Sequence, residues 1–233
     1  MLTGIQGALP ISARRKIDYV GFDIRHDYAQ ETEALASTLG FRAHAVRIAR
    51  LFDFPSLYDL SSRFDFITLT NTVHEVEPAQ LGVLLVESVA RLTDSGCLFV
   101  YDMERIRPPE LGAVPWTAGE ITRILKSLLL GLGVEIYEPA VGRWRHRTCD
   151  GWNAQIYRDH LQVSDLDLSA RRLHAVKETA AVIVELLRAK RATCIDALNN
   201  LTDHAAEVAD EQSEKERLLY EFWAVNRALE IAK

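Results

Sequence analysis

FDFITLTNTVHEVEPAQLGVLLVESVARLTDSGCLFVYDM, residues 64–103, is the stretch that decides the fold. FDFITLTN (64–71) is an apolar run of strand length, and a short polar loop follows it. Pro78 opens a helix in its first turn, where a missing N–H costs nothing. The apolar spacing of AQLGVLLVESVARL carries that helix to Asp94-Ser95-Gly96. CLFVYDM (97–103) is the next strand. A strand, a helix and a strand in this order predict parallel pairing with a right-handed crossover.

Upstream the same alternation repeats. IDYVGFDI (17–24) reads as a buried strand, and HDYAQETEALASTLG (26–40) as a helix with Gly40 as its C-terminal cap. FRAHAVRI (41–48) reads as a strand, and LFDFPSLYDLSSR (51–63) as a connection. Residues 1–16 hold two glycines, a proline and the basic run Arg14-Arg15-Lys16, and read as a leader. Downstream, RIRPPELGAVPW (105–116) is a proline-rich loop. TAGEITRILKSLLLGLG (117–133) is a helix with a capping box from Thr117 and Glu120. VEIYEP (134–139) and NAQIYRD (153–159) read as two antiparallel strands at one edge of the sheet, linked by AVGRWRHRTCDGW (140–152).

From Trp152 to Lys233 there is neither glycine nor proline, which predicts long helices. Leu173, Ala180, Leu187, Cys194, Leu201 and Val208 recur every seventh residue. That seam suits either an oligomer interface or packing against a last helix near 213–232 and the α/β domain. Lys190 and Arg191 interrupt it.

The composition narrows the classes. The chain has 233 residues, 48% hydrophobic and 26% charged, which are ordinary globular proportions. A net charge of −6 carries no global basic excess of the kind that marks nucleic-acid binding. Cys97, Cys149 and Cys194 are too scattered for a disulfide framework, which suits a cytoplasmic protein. No apolar run is long enough to predict a membrane span. The basic cluster near the N-terminus follows the apolar part, the reverse of a secretory signal.

The ordered set of elements over residues 17–160 resembles the class I S-adenosylmethionine (SAM)-dependent methyltransferases. IDYVGFDI resembles that family's second strand, with Asp23 at the acidic position that holds the ribose hydroxyls. FRAHAVRI resembles the third strand, and Asp53 is the nearest candidate for the acid that contacts adenine. FDFITLTNTVHEVEP resembles the fourth strand and the loop lining the methyl-donor pocket, occupied here by Asn71, Thr72, Val73, His74 and Glu75. VARLTDSGCLFVYDM resembles the following helix and fifth strand, with TDSG in place of KPGG. The resemblance implies a Rossmann-like, mostly parallel sheet. It also implies SAM as cofactor and a small-molecule acceptor, with Asp23, Asp53, Asn71, Thr72 and Val73 on the cofactor. His74 and Glu75 are the catalytic candidates, as general base or substrate contacts.

The family's first strand and its G-x-G-x-G loop have no counterpart. Gly4 and Gly7 do not supply them, since no strand precedes these glycines. The sheet is then expected either to keep a gap or to close with the second strand against the fourth. Three explanations stand open: a chain whose first strand lies on another polypeptide, a degenerate domain that lost SAM, or a leader that fills the slot.

Each candidate has a plainer role. Asp23 could cap the next helix, Asn71 could hold a turn, His74 and Glu75 could bond locally, and Asp102 could cap the loop after its strand. With no second histidine at ligand spacing, no metal site is expected. Arg143, Trp144, Arg145, His146 and Arg147 form a basic patch, which reads as a solvated hairpin tip with Trp144 folded back on the sheet, or as an anion-binding surface.

The expected organisation is a leader (1–16), a methyltransferase-like α/β domain (17–163) and an α-helical tail (164–233). The leading function is a SAM-methyltransferase-like protein, degenerate or needing a partner to complete its cofactor site. The alternatives are a non-catalytic interaction or regulatory subunit, assembling with itself or another protein through its C-terminal helices, and a nucleic-acid-binding module using the basic hairpin.

Overall fold

The computed structural model describes residues 2–106, 108–146, 149–203 and 209–232. The protein is α/β, and its internal contacts divide it into two units, Met1–Asp59 and Leu60–Lys233.

The first unit comprises α1 (Leu2–Ala8), α2 (Ile11–Arg14), β1 (Asp18–Asp23), α3 (His26–Leu39), β2 (Ala43–Ile48), a 3-10 turn at Leu51–Asp53 and α4 (Phe54–Leu57). β1 and β2 pair in parallel, from Asp18 opposite Ala43 to Asp23 opposite Ile48, with α3 as the crossover. Gly40 ends α3 at φ 71°, a left-handed conformation that glycine adopts without the Cβ penalty. Residues 1–16, read from the sequence as a leader, carry α1 and α2. Leu2 is buried with Ala36, Leu39 and Phe41, and Ile5, Ile17 and Tyr19 pack around them.

The second unit comprises β3 (Phe64–Thr70), α5 (Pro78–Ala90), β4 (Leu92–Met103), α6 (Ala118–Gly131), β5 (Ala140–His146), β6 (Cys149–Tyr157), α7 (Asp165–Asp203) and α8 (Ala209–Ile231). Its sheet runs β3-β4-β6-β5 and is mixed: β3 and β4 are parallel, while β6 is antiparallel to both β4 and β5. The Thr117–Glu120 capping box forms at the start of α6, with Glu120 N–H donating to Thr117 Oγ1 at 3.2 Å and Thr117 N–H to Glu120 Oε2 at 2.8 Å.

Three expectations are corrected. The first is the closed, mostly parallel sheet, one of the two arrangements expected. Among the described residues β1 pairs only with β2, so the second strand does not close on the fourth, and the mostly parallel sheet is replaced by a parallel pair and a mixed sheet. The second is the position of the edge hairpin. Residues 134–139 form no strand, and Ile136 is 95% exposed. The strand is Ala140–His146, within the segment expected to be the link. Gly142 and Gly151 look like turn residues but lie within the strands. A Cβ on Gly151 would fall 2.5 Å from the Trp144 ring, and Trp144 stacks on Tyr101 with centroids 4.8 Å apart. The third is the Asp94-Ser95-Gly96 turn. It is a bulge inside β4, because pairing jumps from Phe64–Leu92 to Phe66–Cys97. Gly96 is required there, since a Cβ would lie 2.9 Å from the Phe64 carbonyl oxygen.

α7 spans 39 residues, about 58 Å at 1.5 Å per residue. It packs against α5, α6 and α8. Its buried face is Leu168, Ala175, Thr179, Ile183, Leu186, Leu187 and Cys194, whereas Leu173 of the expected seam is exposed. Small residues set the close approach: a Cβ on Gly131 of α6 would lie 2.5 Å from Ala175 Cα, and one on Gly82 of α5 would touch Thr179 at 3.4 Å. Val208, at the end of the seam, lies outside the described residues.

Candidate functional site

The carboxyl ends of β3 and β4 lie side by side in the parallel part of the sheet, and the chemistry gathers there. β3 stops at Asn71, whose φ of 51° turns the chain out of the strand and whose N–H donates to the Tyr101 carbonyl at 2.9 Å. The N–H groups of Glu75 and Val76 then donate to the Thr72 carbonyl at 3.0 and 3.2 Å, closing a turn. That turn buries Val73 and His74 and leaves Glu75 exposed.

His74 is 2% exposed and Asp102 1%. Alternation along β4 puts Leu98, Val100 and Asp102 on one buried face, so the carboxylate reaches beneath the loop. Its Oδ1 lies 2.6 Å from His74 Nδ1 and accepts the Met103 N–H at 2.7 Å. Its Oδ2 accepts the His74 N–H at 2.9 Å. An ionised carboxylate can only accept, so Nδ1 carries a proton, and in the neutral form of the ring Nε2 presents the lone pair.

Nε2 faces two further carboxylates. Glu110 Oε2 lies 3.4 Å away and Glu75 Oε1 4.0 Å away. Glu110 arrives on the proline-rich loop, which is tied to the site by Val114 N–H donating to the His74 carbonyl at 2.8 Å. Burial pulls the His74 pKa down, but the Asp102 hydrogen bond and charge, with the charges of Glu110 and Glu75, outweigh it and hold the ring above the ordinary histidine value. His74, Glu75 and Glu110 offer one ligand atom each within 4.8 Å of one another. The expectation of no metal rested on the missing second histidine. The structure assembles a one-histidine, two-carboxylate set by bringing in a residue from the next loop.

The other sequence candidates have local roles. Thr72 Oγ1 donates to the Thr70 carbonyl at 2.8 Å, and Val73 is fully buried. Asp23 and Asp53 belong to the first unit. Asp23 Oδ1 accepts the Arg25 N–H at 2.8 Å in the turn leading into α3, and Asp53 Oδ2 accepts the Arg50 N–H at 3.2 Å. In the basic hairpin, Arg143 lies 3.6 Å from Glu104 and Arg145 3.5 Å from Asp150. Arg147 and the His146 side chain lie outside the described residues.

Sequence reasoning missed Glu110 and favoured a capping role for Asp102 over a substrate contact. The signal for Asp102 was present: an acid in register with Leu98 and Val100 on a buried face must find a donor. Nothing local in RPPELG announces Glu110.

No protein family matches the chain, and no curated protein does. Among solved structures, an uncharacterized protein from Listeria monocytogenes serotype 4b is similar at 11% identity and a TM-score of 0.41, covering 90% of this chain and 81% of that one. Among the described residues no helix is long and apolar enough to cross a membrane.

Proposed function

We propose that this chain is a SAM-methyltransferase-like protein whose acceptor side is the loop after β3, and whose donor site is degenerate or completed by a partner. The observation carrying this reading is the buried Asp102–His74 pair at the carboxyl ends of two adjacent parallel strands. Open α/β sheets bind ligands at that end. In such a site Asp102 fixes the imidazole and Nε2 holds the heteroatom of a small-molecule acceptor. Transfer would be an in-line displacement at the sulfonium carbon, accelerated mainly by positioning. The scattered thiols, two of them free, favour a reducing cytoplasm.

Calorimetric titration with SAM and S-adenosylhomocysteine tests this reading. Saturable heat with S-adenosylhomocysteine supports donor binding by the isolated chain, and none at about 1 mM ligand overturns it, leaving a lost or partner-completed donor site.

A second reading, a non-catalytic interaction subunit, draws on exposed Leu219 and Trp223 of α8. It no longer draws on the heptad seam, whose buried positions face α5, α6 and α8 of the same chain. Light scattering that shows a concentration-independent monomer removes self-association.

A further inference from the structure

We propose that His74, Glu75 and Glu110 bind one divalent transition-metal cation, with Asp102 orienting the imidazole from behind. The argument starts from spacing. Ligand atoms about 2.1 Å from a tetrahedral zinc lie about 3.4 Å from one another. Nε2 of His74 stands 3.4 Å from Glu110 Oε2 and 4.0 Å from Glu75 Oε1, so small rotations of the two glutamate side chains close the set. Both side chains can make them, being 48% and 62% exposed, while the imidazole at the floor is only 3% exposed.

The carboxylate behind the imidazole points the same way. A metal-bound histidine characteristically donates its other N–H to a carboxylate, which fixes the tautomer and raises the basicity of the ligating nitrogen. Asp102 Oδ1 does this at 2.6 Å, and its own position is fixed by the N–H groups of His74 and Met103. Backbone contacts hold both loops in place: Val114 N–H bonds the His74 carbonyl, and Ala113 N–H bonds the Glu110 carbonyl at 3.3 Å.

The donor set selects the ion. One imidazole and two carboxylates suit zinc, manganese or ferrous iron, and lack the thiolate that copper(I) prefers. Three protein ligands leave at least one coordination position for water or a substrate oxygen or nitrogen, the arrangement of catalytic rather than structural sites. Only this last role rests on the loop being the acceptor side. Cation binding stands on the geometry alone.

The full-length protein, dialysed against EDTA, is titrated with Zn2+ by calorimetry, with Co2+ by visible absorption and with Mn2+ by electron paramagnetic resonance, in the absence of SAM. One cation per chain is expected. Glu110→Gln, on an exposed side chain, should keep the metal-free melting temperature and circular dichroism while losing at least about 10-fold in affinity. Asp102→Asn should lose about 10–100-fold, the usual effect of removing the carboxylate that a ligating histidine donates to. Absence of saturable one-to-one binding with all three ions overturns the site, as does affinity unchanged in both Glu75→Gln and Glu110→Gln. Cation binding without any heat from S-adenosylhomocysteine would sustain the site and overturn only the donor reading.

Discussion

Asp102 holds His74 twice, through the ring at Nδ1 (2.6 Å) and through the backbone N–H (2.9 Å). One buried carboxylate therefore fixes both the conformation of the loop and the tautomer of its imidazole. Asp102→Ala removes the acceptor of two buried His74 donors and of the half-buried Met103 N–H, and each unmet buried group costs about 1–3 kcal/mol. Urea denaturation should show a loss of roughly 2–5 kcal/mol, with a smaller loss for Asp102→Asn, which keeps one acceptor oxygen.

Two glycines of α6 should respond in opposite ways. At Gly131 a Cβ would sit 2.5 Å from Ala175 Cα, so Gly131→Ala forces α6 and α7 apart and should cost about 1–3 kcal/mol. At exposed Gly119 the nearest atom is 3.9 Å away, so Gly119→Ala should be neutral or stabilise by up to about 1 kcal/mol. Thermal melts of the two variants beside the parent check the contrast.

Cys194 is buried in α7, and burial, with a smaller push from Glu221, raises its thiol pKa to about 11. The thiolate is the reactive species, so Cys194 should resist alkylation at pH 8 until the protein unfolds. Peptide mapping after iodoacetamide treatment, with and without urea, reads this directly. Labelling of Cys194 in the native protein would contradict the burial.

Asp165 is held below the ordinary carboxylate value by hydrogen bonds from Arg158 and Arg63, at 2.9 and 3.1 Å. Its folded pKa is depressed, so its contribution is fully present above the unfolded value of 3.8 and is lost as pH falls through the folded value. The carboxylate is 54% exposed, so solvent screening limits the contribution to about 0.5–1 kcal/mol. Asp165→Asn should be less stable than the parent at pH 7 by that amount, with the gap closing below pH 3.8.

The local elements were legible where a side chain announces its own conformation. Gly40 marked the end of α3, Pro78 the start of α5, and Thr117 with Glu120 the start of α6. The hairpin was misplaced because Gly142 and Gly151 make room for cross-strand side chains, Asn153 and Trp144 respectively, which no local pattern records. The buried face of α7 was misjudged at its start for a related reason. It follows Ala175 and Thr179, which fit against glycines of other helices, rather than the more apolar Leu173. At the site, His74 and Glu75 were visible as a polar pair after a strand. Glu110 was not, because only the fold of the proline-rich loop brings it to Nε2.

The 39-residue α7 braces three other helices at once, and the residues it covers on α5 and α6 include two glycines that offer no side chain of their own. Cutting the chain ahead of Asp165 would thus strip a wall from the interior rather than trim an appendage. A minimal fragment for expression would need everything from Leu60 onward, with α7 intact.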